Sequence, residues 1–266
     1  MKIYDCITYF EEEFLFNLRL RILNKYVDYF VVCESIYAHN GLKKKHLFNL
    51  EKFSEFKNKI IHIQLDKFPK NMSSWERQDF QRDQLLKGIS LAGDDDLIFF
   101  SDSDEIPDPK KFINLDYKKK YFLFEQINFC YNFNTVNLTE YFWEGTRACK
   151  KKYLKSFNWI RTKIKKKNLK YSFFRFDKEK HIQLIKNGGW HFAYFLSPNE
   201  IINKIVSSPH SEFVDNNNTD INVLKNRIKS LQDPLGRIRT YIKIKDKNIL
   251  PNEVINNPIL YKDFLD

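Results

Sequence analysis

The 266-residue chain lacks the features that identify zinc-binding, disulfide-stapled and membrane-spanning proteins. Its four cysteines include no Cys-x-x-Cys pair, and Cys6 and Cys33 fall inside predicted strands, where a buried free thiol is the ordinary arrangement. No apolar run is long enough to span a bilayer, no internal repeat is visible, and Met1 leads directly into a strand with no signal peptide. We therefore expect a cytoplasmic protein in a reducing compartment.

Acidic residues are scarce in the middle of the chain. Residues 110–186 hold 20 Lys or Arg against 6 Asp or Glu, a net charge of +14, which leaves −3 for the rest of a chain whose net charge is +11. Such a segment could bind nucleic acid, an anionic membrane surface or a phosphorylated glycan. Because lysine is abundant along the whole chain, a solvated basic surface is the simpler interpretation, and we expect no nucleic-acid partner.

The first hundred residues alternate between strand and helix patterns. Predicted strands cover Lys2–Thr8, Asp28–Ser35, Ile60–Asp66 and Leu97–Phe100, and the intervening helices cover Glu11–Tyr26, Leu50–Lys59 and Trp75–Leu91, the last capped by Ser74. The apolar run Phe30–Cys33 is typical of a parallel strand covered on both faces. This alternation predicts an α/β fold with a mostly parallel, doubly wound sheet and helices on both faces. A chain of this length is predicted to form a single domain over residues 1–266.

The later part of the chain gives weaker patterns. Residues 121–133 are predicted to be strand, and residues 141–186 short strands joined by basic loops. The capping box Ser197-Pro198-Asn199-Glu200 predicts a helix to about Ser207. A further helix is predicted over 220–231, and the last thirty residues look irregular.

The most informative segment is Ser101-Asp102-Ser103-Asp104-Glu105, which follows the predicted strand Leu97–Phe100 and precedes Pro107. Its three carboxylates therefore reach the carboxyl end of a strand, where open α/β sheets bind ligands. Like charges ~4 Å apart repel by about 4 kcal/mol at an effective dielectric constant of 20, so the cluster needs a cation, a shared proton or full solvation. Asp-x-Asp suits Mg²⁺ or Mn²⁺ with positions left for phosphate oxygens. A solvated acidic turn is the alternative.

Three further segments carry candidate binding residues. Arg77 and Gln81 share a face of a helix that begins near the same sheet edge, where the arginine could bind a phosphate or base, or form a surface ion pair. Gly188-Gly189-Trp190-His191-Phe192 combines close backbone approach with an imidazole, which is either packed core or a ligand. Ser208-Pro209-His210-Ser211-Glu212 could bring a histidine and a carboxylate to the same cleft, or be a polar helix exit.

Taken together, these segments resemble glycosyltransferase family 17. The matching blocks are Met1–Cys6 with Thr8 and Phe10, Val27–Glu34, Trp75-Glu76-Arg77 with Gln81-Arg82, Asp102–Pro107, Gly189–Phe192, and Lys204 with His210 and Glu212. The blocks cover most of residues 1–215 in the same order. The sequence departs from the family pattern at Glu11, Asn17 and Asp83, and residues 140–186 match poorly.

The resemblance implies a GT-A-like fold and inverting, metal-dependent transfer of a sugar, GlcNAc above all, from a UDP-sugar to a glycan acceptor. Residues 1–110 would then be the half that binds the nucleotide sugar, and residues 111–266 the acceptor-side half with the C-terminal helices. Two readings from other classes remain open. One is a metal-dependent nuclease or nucleic-acid-binding protein that uses residues 110–186, and the other is a catalytically silent glycan-binding relative.

The site residues follow from the resemblance and from the predicted sheet edge. The residues expected to line the nucleotide pocket are Glu34, Arg77, Arg82 and Asp102. Those expected to hold Mn²⁺ or Mg²⁺ are Asp102, Asp104 and His191, with Asp102 bridging the metal and the ribose. The residues expected to complete the catalytic site are His191 and Glu212, the latter as the base that deprotonates the acceptor, with Glu144 as the rival base.

Overall fold

The computed structural model describes residues 1–172 and 174–265, and eleven strands in this part of the chain form one sheet. The strands are β1 (Ile3–Tyr9), β2 (Tyr29–Ser35), β3 (Ile60–Leu65), β4 (Leu97–Ser101), β5 (Glu105–Pro107), β6 (Tyr121–Cys130), β7 (Thr135–Asn137), β8 (Phe142–Lys150), β9 (Ile182–Ile185), β10 (Gly189–Ala193) and β11 (Tyr241–Lys243). The α-helices are α1 (Glu13–Leu23), α2 (Ser74–Gln84), α3 (Phe157–Lys163), α4 (Pro198–Ser207), α5 (Asn216–Thr219), α6 (Ile221–Lys229) and α7 (Asn252–Asn256). The 3-10 helices are Leu50–Lys59, Leu85–Ile89, Pro109–Asn114, Lys151–Tyr153, Lys166–Lys170, Ser211–Phe213, Lys247–Ile249 and Pro258–Phe264.

The amino-terminal half of the sheet is parallel, in the order β3-β2-β1-β4. Cys6 of β1 lies in register between Val31 of β2 and Phe100 of β4, and all three side chains are buried. Strands with such continuous apolar runs are stable only when both faces of the sheet are covered. The predicted α/β fold and the parallel direction of the first four strands are confirmed.

Helices cover both faces of this parallel sheet. On one face, Phe16 of α1 and Phe53 of the 3-10 helix Leu50–Lys59 join the apolar core that contains Val32. On the opposite face, Leu85 and the α3 residue Phe157 join a second core that contains Val31. Because neighbouring residues of one strand face opposite sides of a sheet, β2 contributes to both cores and holds the three layers together.

The helix after β3 is capped by Ser73, whereas the sequence pattern favoured Ser74. The Ser73 hydroxyl accepts a hydrogen bond from the Glu76 backbone N–H at 3.3 Å, and the Glu76 carboxylate accepts one from the Ser73 backbone N–H at 2.7 Å. This reciprocal capping box starts α2 one residue early. The α-helix then ends at Gln84 and continues as the 3-10 helix Leu85–Ile89, short of the predicted end at Leu91.

The carboxy-terminal half of the sheet is mixed. Strand β8 runs antiparallel to both β4 and β6, whereas β9 and β10 run parallel to β6. Two short strands complete the sheet, with β5 antiparallel to β10 and β11 antiparallel to β7. The sheet is therefore parallel through β4 and mixed beyond it, which refines the prediction of a mostly parallel sheet.

Residues 141–186 contain longer elements than the predicted short strands. Strand β8 spans nine residues, and α3 follows it with the Ser156 hydroxyl accepting a hydrogen bond from the Trp159 backbone N–H at 3.1 Å. The apolar pattern of both elements is interrupted by polar residues, which weakens the periodicity. Two of these, Arg147 in β8 and Arg161 in α3, are buried in the interior.

The carboxy-terminal helices follow their predicted caps. Helix α4 is capped by Ser197 and Glu200 as predicted, and it ends at Ser207. The Asp220 carboxylate accepts from two backbone N–H groups of α6, which ends at Lys229. The last thirty residues include β11 and α7, so they are more regular than expected.

A buried ion pair links the amino-terminal half to the acidic segment. Arg19 of α1 donates to both carboxylate oxygens of Asp5, at 2.6 and 2.9 Å. Its remaining terminal nitrogen donates to the backbone carbonyl of Glu105 at 2.6 Å. A buried guanidinium is stable only when its donors are paired, so this network holds the start of β5 against β1 and α1.

The cysteine prediction is confirmed, since Cys6 and Cys33 are buried free thiols in β1 and β2. Within residues 1–172 and 174–265, no helix combines the length and the apolarity that crossing a membrane requires.

Candidate active site

A cavity of about 320 Å³ opens where β1, β2 and β4 end. The amino-terminal half lines it with Thr8, Glu12, Ser35, Tyr37, His39, Gln78 and Gln81. The carboxy-terminal half lines it with Asn128, Asn137, Trp143, His191, Tyr194, Lys204, His210, Arg237, Arg239 and Tyr241. The acidic segment 102–105 lies between these two groups, because β4 and β5 stand between the parallel strands and the mixed half of the sheet. The cavity therefore lies at the sheet edge predicted for ligand binding.

Asp102 is held by two arginines. Arg82 of α2 donates to one carboxylate oxygen at 3.2 Å, and Arg161 of α3 approaches the other at 2.6 Å. Burial raises the pKa of Asp102, but the charges of Arg161 and Arg82 outweigh it and hold the pKa well below its ordinary value. Asp102 is therefore a charged carboxylate with both oxygens already occupied.

Glu105 is fully buried and has no direct access to a ligand. Its carboxylate accepts hydrogen bonds from Trp143 Nε1 at 2.6 Å, from Arg161 Nη1 at 3.1 Å and from the Asp102 backbone N–H at 3.1 Å. A buried charge with several donors is stable where an unpaired one would not be. Glu105 therefore holds the backbone of the acidic turn from the protein interior.

A glycine positions the histidine of the Gly-Trp-His segment. Gly189 has φ +136°, and a Cβ there would lie 2.2 Å from the Ile106 carbonyl oxygen. Because glycine has no side chain, β10 can pair closely with β5, which places His191 opposite Glu105 and, on its other side, beside Asn128 of β6. The close approach predicted from the paired glycines is present.

His191 and Asp104 face each other across a short gap. The His191 Nδ1 lies 3.0 Å from Asn128 Oδ1, and its ring stacks on Trp143 with centroids 4.7 Å apart. With Nδ1–H donated to the amide oxygen, the Nε2 lone pair faces Asp104 Oδ1 at 3.7 Å. Burial lowers the pKa of His191 and outweighs the opposing charge of Asp104, so the neutral imidazole is favoured.

The other oxygen of Asp104 is paired with Lys204. The Lys204 ammonium lies 3.0 Å from Asp104 Oδ2 and 3.3 Å from Glu12 Oε1. Burial lowers the pKa of Lys204, but the two carboxylates outweigh it and raise the pKa above its ordinary value. Burial likewise raises the pKa of Asp104, but the charge of Lys204 opposes this most strongly, and the pKa lies below its ordinary value. The cavity thus holds a charged Lys–Asp pair beside a neutral histidine.

The donor set fits a divalent cation held by two protein ligands. A carboxylate oxygen and an imidazole lone pair that face each other at 3.7 Å repel unless a cation lies between them. Asp102 is less available as a third ligand, because each of its oxygens already contacts an arginine and only the remaining lone pairs are free for a cation. The described residues contain no group of three or more His, Cys, Asp or Glu side chains arranged for a metal. Mg²⁺ and Mn²⁺ commonly use one or two protein ligands and complete their shell with phosphate oxygens and water.

Glu34 lies beneath the loop that follows β2 and does not line the cavity. Its carboxylate accepts hydrogen bonds from Lys44 at 2.9 Å and from the backbone N–H groups of Leu47 and Phe48 at 2.7 and 3.1 Å. Burial raises the pKa of Glu34, but these donors outweigh it and lower the pKa. Glu34 therefore holds the 44–48 loop, and Lys44 from that loop reaches the cavity.

Arg77 and Arg82 stand behind the cavity wall. Arg77 donates to the backbone carbonyl of His39 at 2.8 Å and packs against Gly41. Arg82 contacts the cavity through Asp102. The structure brings Arg82, Asp102, Asp104 and His191 together, whereas Arg77 approaches the cavity only through the loop that carries His39.

Glu212 lies on the rim of the cavity and is 56% exposed. Its carboxylate is 2.6 Å from His210 Nδ1, and His210 itself lines the cavity with its ring edge-on to Trp75, 4.7 Å between centroids. The rival base Glu144 does not line the cavity and accepts from the Lys166 backbone N–H at 3.2 Å. Of the two titratable side chains in the segment 208–212, His210 therefore lines the cavity and Glu212 does not.

Two polar side chains that the sequence reasoning did not select, His39 and Gln78, define the amino-terminal end of the cavity together with Gln81. His39 Nε2 lies 3.0 Å from Gln81 Oε1, and Gln81 Nε2 donates to the Cys33 carbonyl at 3.0 Å. Gln78 lines the cavity, and its Oε1 is buried with no hydrogen-bond partner among the described residues. A bound ligand with an N–H group would satisfy this oxygen.

The sequence analysis also missed four residues that support the site. Trp143 and Arg161 donate to Glu105. Asn128 pairs with His191, and Glu12 pairs with Lys204. Arg161 lies in the lysine-rich segment, where its side chain resembles those of its solvated neighbours. The one usable signal is that Arg161 follows the apolar pattern Phe157 and Ile160, which places it on the inner face of a short helix.

The α/β fold, with an Asp-x-Asp turn at the carboxyl end of β4, is GT-A-like. The family model described as glycosyltransferase family 17 matches residues 1–233. The chain therefore belongs to glycosyltransferase family 17, as the resemblance indicated. The match leaves out the segment from residue 234 onward, which includes Arg237, Arg239 and Tyr241 of the cavity wall.

Curated relatives match a smaller region. The human and rat proteins named beta-1,4-mannosyl-glycoprotein 4-beta-N-acetylglucosaminyltransferase are each 30% identical over 116 residues, 40% of this chain and 22% of theirs. The chain thus aligns with about a fifth of the length of these relatives. Among solved structures, S. aureus TarS 1-349 is 13% identical with a TM-score of 0.40, covering 77% of this chain and 63% of that one. A glycosyltransferase involved in the glycosylation of the major capsid of PBCV-1 is 11% identical with a TM-score of 0.35, covering 70% and 82%.

Proposed function

We propose that this chain transfers a sugar from a nucleotide sugar to a glycan acceptor with the help of Mn²⁺ or Mg²⁺. The observation that carries the proposal is the pair Asp104 Oδ1 and His191 Nε2, which face each other at 3.7 Å inside the cavity. Membership of family 17 supports glycosyl transfer as the reaction. The relatives' name supports N-acetylglucosamine as the sugar and a mannosyl glycan as the acceptor.

The amino-terminal end of the cavity suits the base of a uridine nucleotide. Gln78 Oε1 is the buried acceptor without a partner, and a uracil ring offers one N–H on its pairing edge. Gln81 cannot take this role, because His39 and the Cys33 carbonyl already hold its amide. Arg77 supports the same loop through the His39 carbonyl. These contacts favour a UDP-sugar as the donor.

Asp104 and His191 would hold the metal, which neutralises charge on the departing diphosphate when it is bound. Lys204 stands beside them as a fixed positive charge for the same phosphates. Asp102 positions this group through Arg82 and Arg161 and is not itself a ligand. This assignment changes the expected role of Asp102, while its contribution to ribose binding stays a prediction.

His210 is the base that the geometry favours, with Glu212 as its positioning residue. The Glu212 carboxylate binds Nδ1, which leaves Nε2 free to take the proton of an acceptor hydroxyl. The deprotonated oxygen then attacks the anomeric carbon from the face opposite the diphosphate, whose bond to that carbon breaks with the electron pair leaving on the phosphate. The configuration inverts, and the proton remains on His210.

The test separates donor binding from transfer. His210→Gln should reduce transfer about 10²- to 10³-fold while UDP binding, measured by calorimetry with Mn²⁺, stays within twofold of wild type. Glu212→Gln should reduce transfer by a smaller factor, because the histidine remains. If Glu144→Gln abolishes transfer and both His210→Gln and Glu212→Gln transfer normally, Glu144 is the base and the assignment is wrong.

No specific observation favours either of the alternative functions, a nuclease or nucleic-acid-binding protein and a catalytically silent glycan-binding relative. The nucleic-acid reading rests on the basic segment 110–186, whose lysines are exposed or half-buried while Arg147 and Arg161 are buried, and such a surface is equally typical of a solvated face. A silent glycan-binding relative would bind sugars without releasing nucleotide, which the transfer assay detects. The expected cytoplasmic location, and contact of the basic segment with a membrane surface, stay predictions.

A further inference from the structure

The cavity has a basic end that the donor site does not use. Its lining residues are Asn137, Tyr194, Phe213, Arg237, Arg239 and Tyr241, and we call them the arginine end. In the strand order, β7 and β11 lie on the opposite side of β4 from β2, which carries the end assigned to the nucleotide base. The arginine end is therefore placed to meet the acceptor.

A buried carboxylate holds Arg237 in one orientation. Asp233 is 1% exposed, and its two oxygens accept hydrogen bonds from Arg237 Nε and Nη2, both at 2.9 Å. The guanidinium also lies over the Phe213 ring, 5.6 Å from its centroid. Among the described residues, Arg237 Nη1 has no hydrogen-bond or ion-pair partner, although the side chain is 33% exposed and lines the cavity. A guanidinium that is fixed by two hydrogen bonds and keeps one terminal nitrogen free is preorganised to bind a carboxylate or a phosphate.

Arg239 adds a second positive charge on the same surface. It makes two long ion pairs, 3.3 Å to Glu140 and 3.8 Å to Asp233. Neither carboxylate lines the cavity, and no described residue of the arginine end is acidic. The cavity surface at this end therefore presents guanidinium nitrogens, while the balancing carboxylates lie behind or outside it.

The backbone at this end is strained in a way that points to a binding role. Tyr194, which follows β10, has φ +57°, a backbone conformation that is uncommon for a bulky residue. It carries its ring into the lining beside Arg237 and Tyr241. Aromatic rings next to hydrogen-bond donors form surfaces on which sugar rings can stack.

We infer that the arginine end is an acceptor subsite for an anionic saccharide, one whose sugar carries a carboxylate or phosphate that Arg237 and Arg239 bind. The inference rests on the proposed glycosyl transfer and specifies its acceptor. The two arginines of this subsite, Arg237 and Arg239, follow residue 233 and so lie beyond the part of the chain that the family model matches.

The probes are D-glucose, D-glucuronate and D-glucose 6-phosphate, which share a ring and differ at C6. Their binding to the full chain is measured by calorimetry in saturating UDP and Mn²⁺, so that the donor end is filled. We expect at least one anionic probe to bind about tenfold or more tightly than glucose, and comparison of the two identifies carboxylate or phosphate as the recognised group.

Arg239→Gln should remove most of this preference, since its partners are not hydrogen-bonded to it and the fold should tolerate the change. Arg237→Lys keeps the charge beside Asp233 but loses the fork, and it should weaken the preference as well. Lys225→Gln, an exposed charge change on α6 outside the cavity, should leave the preference unchanged. Equal affinity for all three probes in the wild type, or an unchanged preference in both arginine variants, would overturn the inference.

UDP binding is measured separately, so that a failure of the acceptor inference can be distinguished from a failure of the proposed function. If UDP binds and no probe is preferred, the acceptor inference is wrong and the proposed function stands. If UDP fails to bind with Mn²⁺, the proposed function is wrong, and a preference for the anionic probes that disappears in Arg239→Gln would still establish an anion-binding subsite.

Discussion

The two halves of this molecule bury different kinds of residues. In the parallel half, β1, β2 and β4 bury mostly apolar side chains, and their few buried charges, such as Asp5 with Arg19, are paired within that half. In the mixed half, β6 buries Glu125, Gln126 and Asn128 in its middle. The parallel half therefore supplies an apolar core and the sheet edge that carries the acidic segment, whereas the mixed half supplies many of the polar groups that surround this segment in the candidate active site.

The largest expected effect tests whether the two halves meet in one functional centre. Asp104→Asn removes the carboxylate charge between Lys204 and His191, and we expect metal-dependent nucleotide release to fall at least about 10³-fold, about 4 kcal/mol in activation free energy. Asp94→Asn, an exposed change at the opposite end of β4, is the control and should keep wild-type activity. Near wild-type release by Asp104→Asn would mean that the metal site is elsewhere.

The next effect tests how far the parallel half depends on a charge supplied by the mixed half. Arg161→Gln leaves Glu105 buried with fewer donors and Asp102 with one arginine, so we expect the free energy of unfolding to fall by about 3 kcal/mol. Urea denaturation measures it. Lys163→Gln, exposed on the same helix, should change stability by less than about 0.5 kcal/mol. If both variants unfold at the same denaturant concentration, the buried network is not a stabilising link between the halves.

A smaller effect isolates one hydrogen bond across the same boundary. Trp143→Phe keeps an aromatic ring against His191 but removes the Nε1–H donated to Glu105 at 2.6 Å. Because the acceptor is a buried carboxylate, we expect a loss of about 1.5 kcal/mol in the free energy of unfolding. Trp159→Phe is the matched control, since its Nε1 makes no hydrogen bond in the described part of the chain. Equal losses in the two variants would assign the effect to ring packing.

The smallest effect concerns pH and the parallel half. Burial lowers the pKa of His39 to about 4 from its ordinary 6.5, so the unfolded chain binds a proton there more readily than the folded one. Stability from this residue is fully present above pH 6.5 and falls as the pH drops towards 4, and we expect a loss of about 1 kcal/mol at this partly exposed ring. His39→Gln should flatten the unfolding free energy between pH 7 and 4.5, whereas the exposed His181→Gln should follow wild type. Identical pH profiles for wild type and His39→Gln would exclude this contribution.

The comparison also explains which parts of the protein could be predicted. The strands Ile3–Tyr9, Tyr29–Ser35 and Leu97–Ser101 agree with prediction to within one residue at each end. Continuous apolar runs and local caps such as Ser197 with Glu200 are visible in one stretch of sequence. Residues 141–186 were predicted only as short strands, so the nine-residue length of β8 and the helix α3 were missed, because their pattern is interrupted by buried polar residues such as Arg147 and Arg161.

By itself, the sequence determined the α/β class, the parallel direction of the first four strands and the placing of Asp102 and Asp104 at a strand end. These depend on local periodicity and on the rule that parallel strands share one carboxyl edge. The tertiary structure alone decided that Asp102 contacts Arg82 and Arg161, that His191 faces Asp104, and that His210, held by Glu212, reaches the cavity. The reason is physical: the partners of Asp102 and Asp104 lie tens of positions away in the sequence, and although His210 and Glu212 are near each other in the chain, only the packing of β10, α3 and α4 around the sheet edge places these side chains at the cavity.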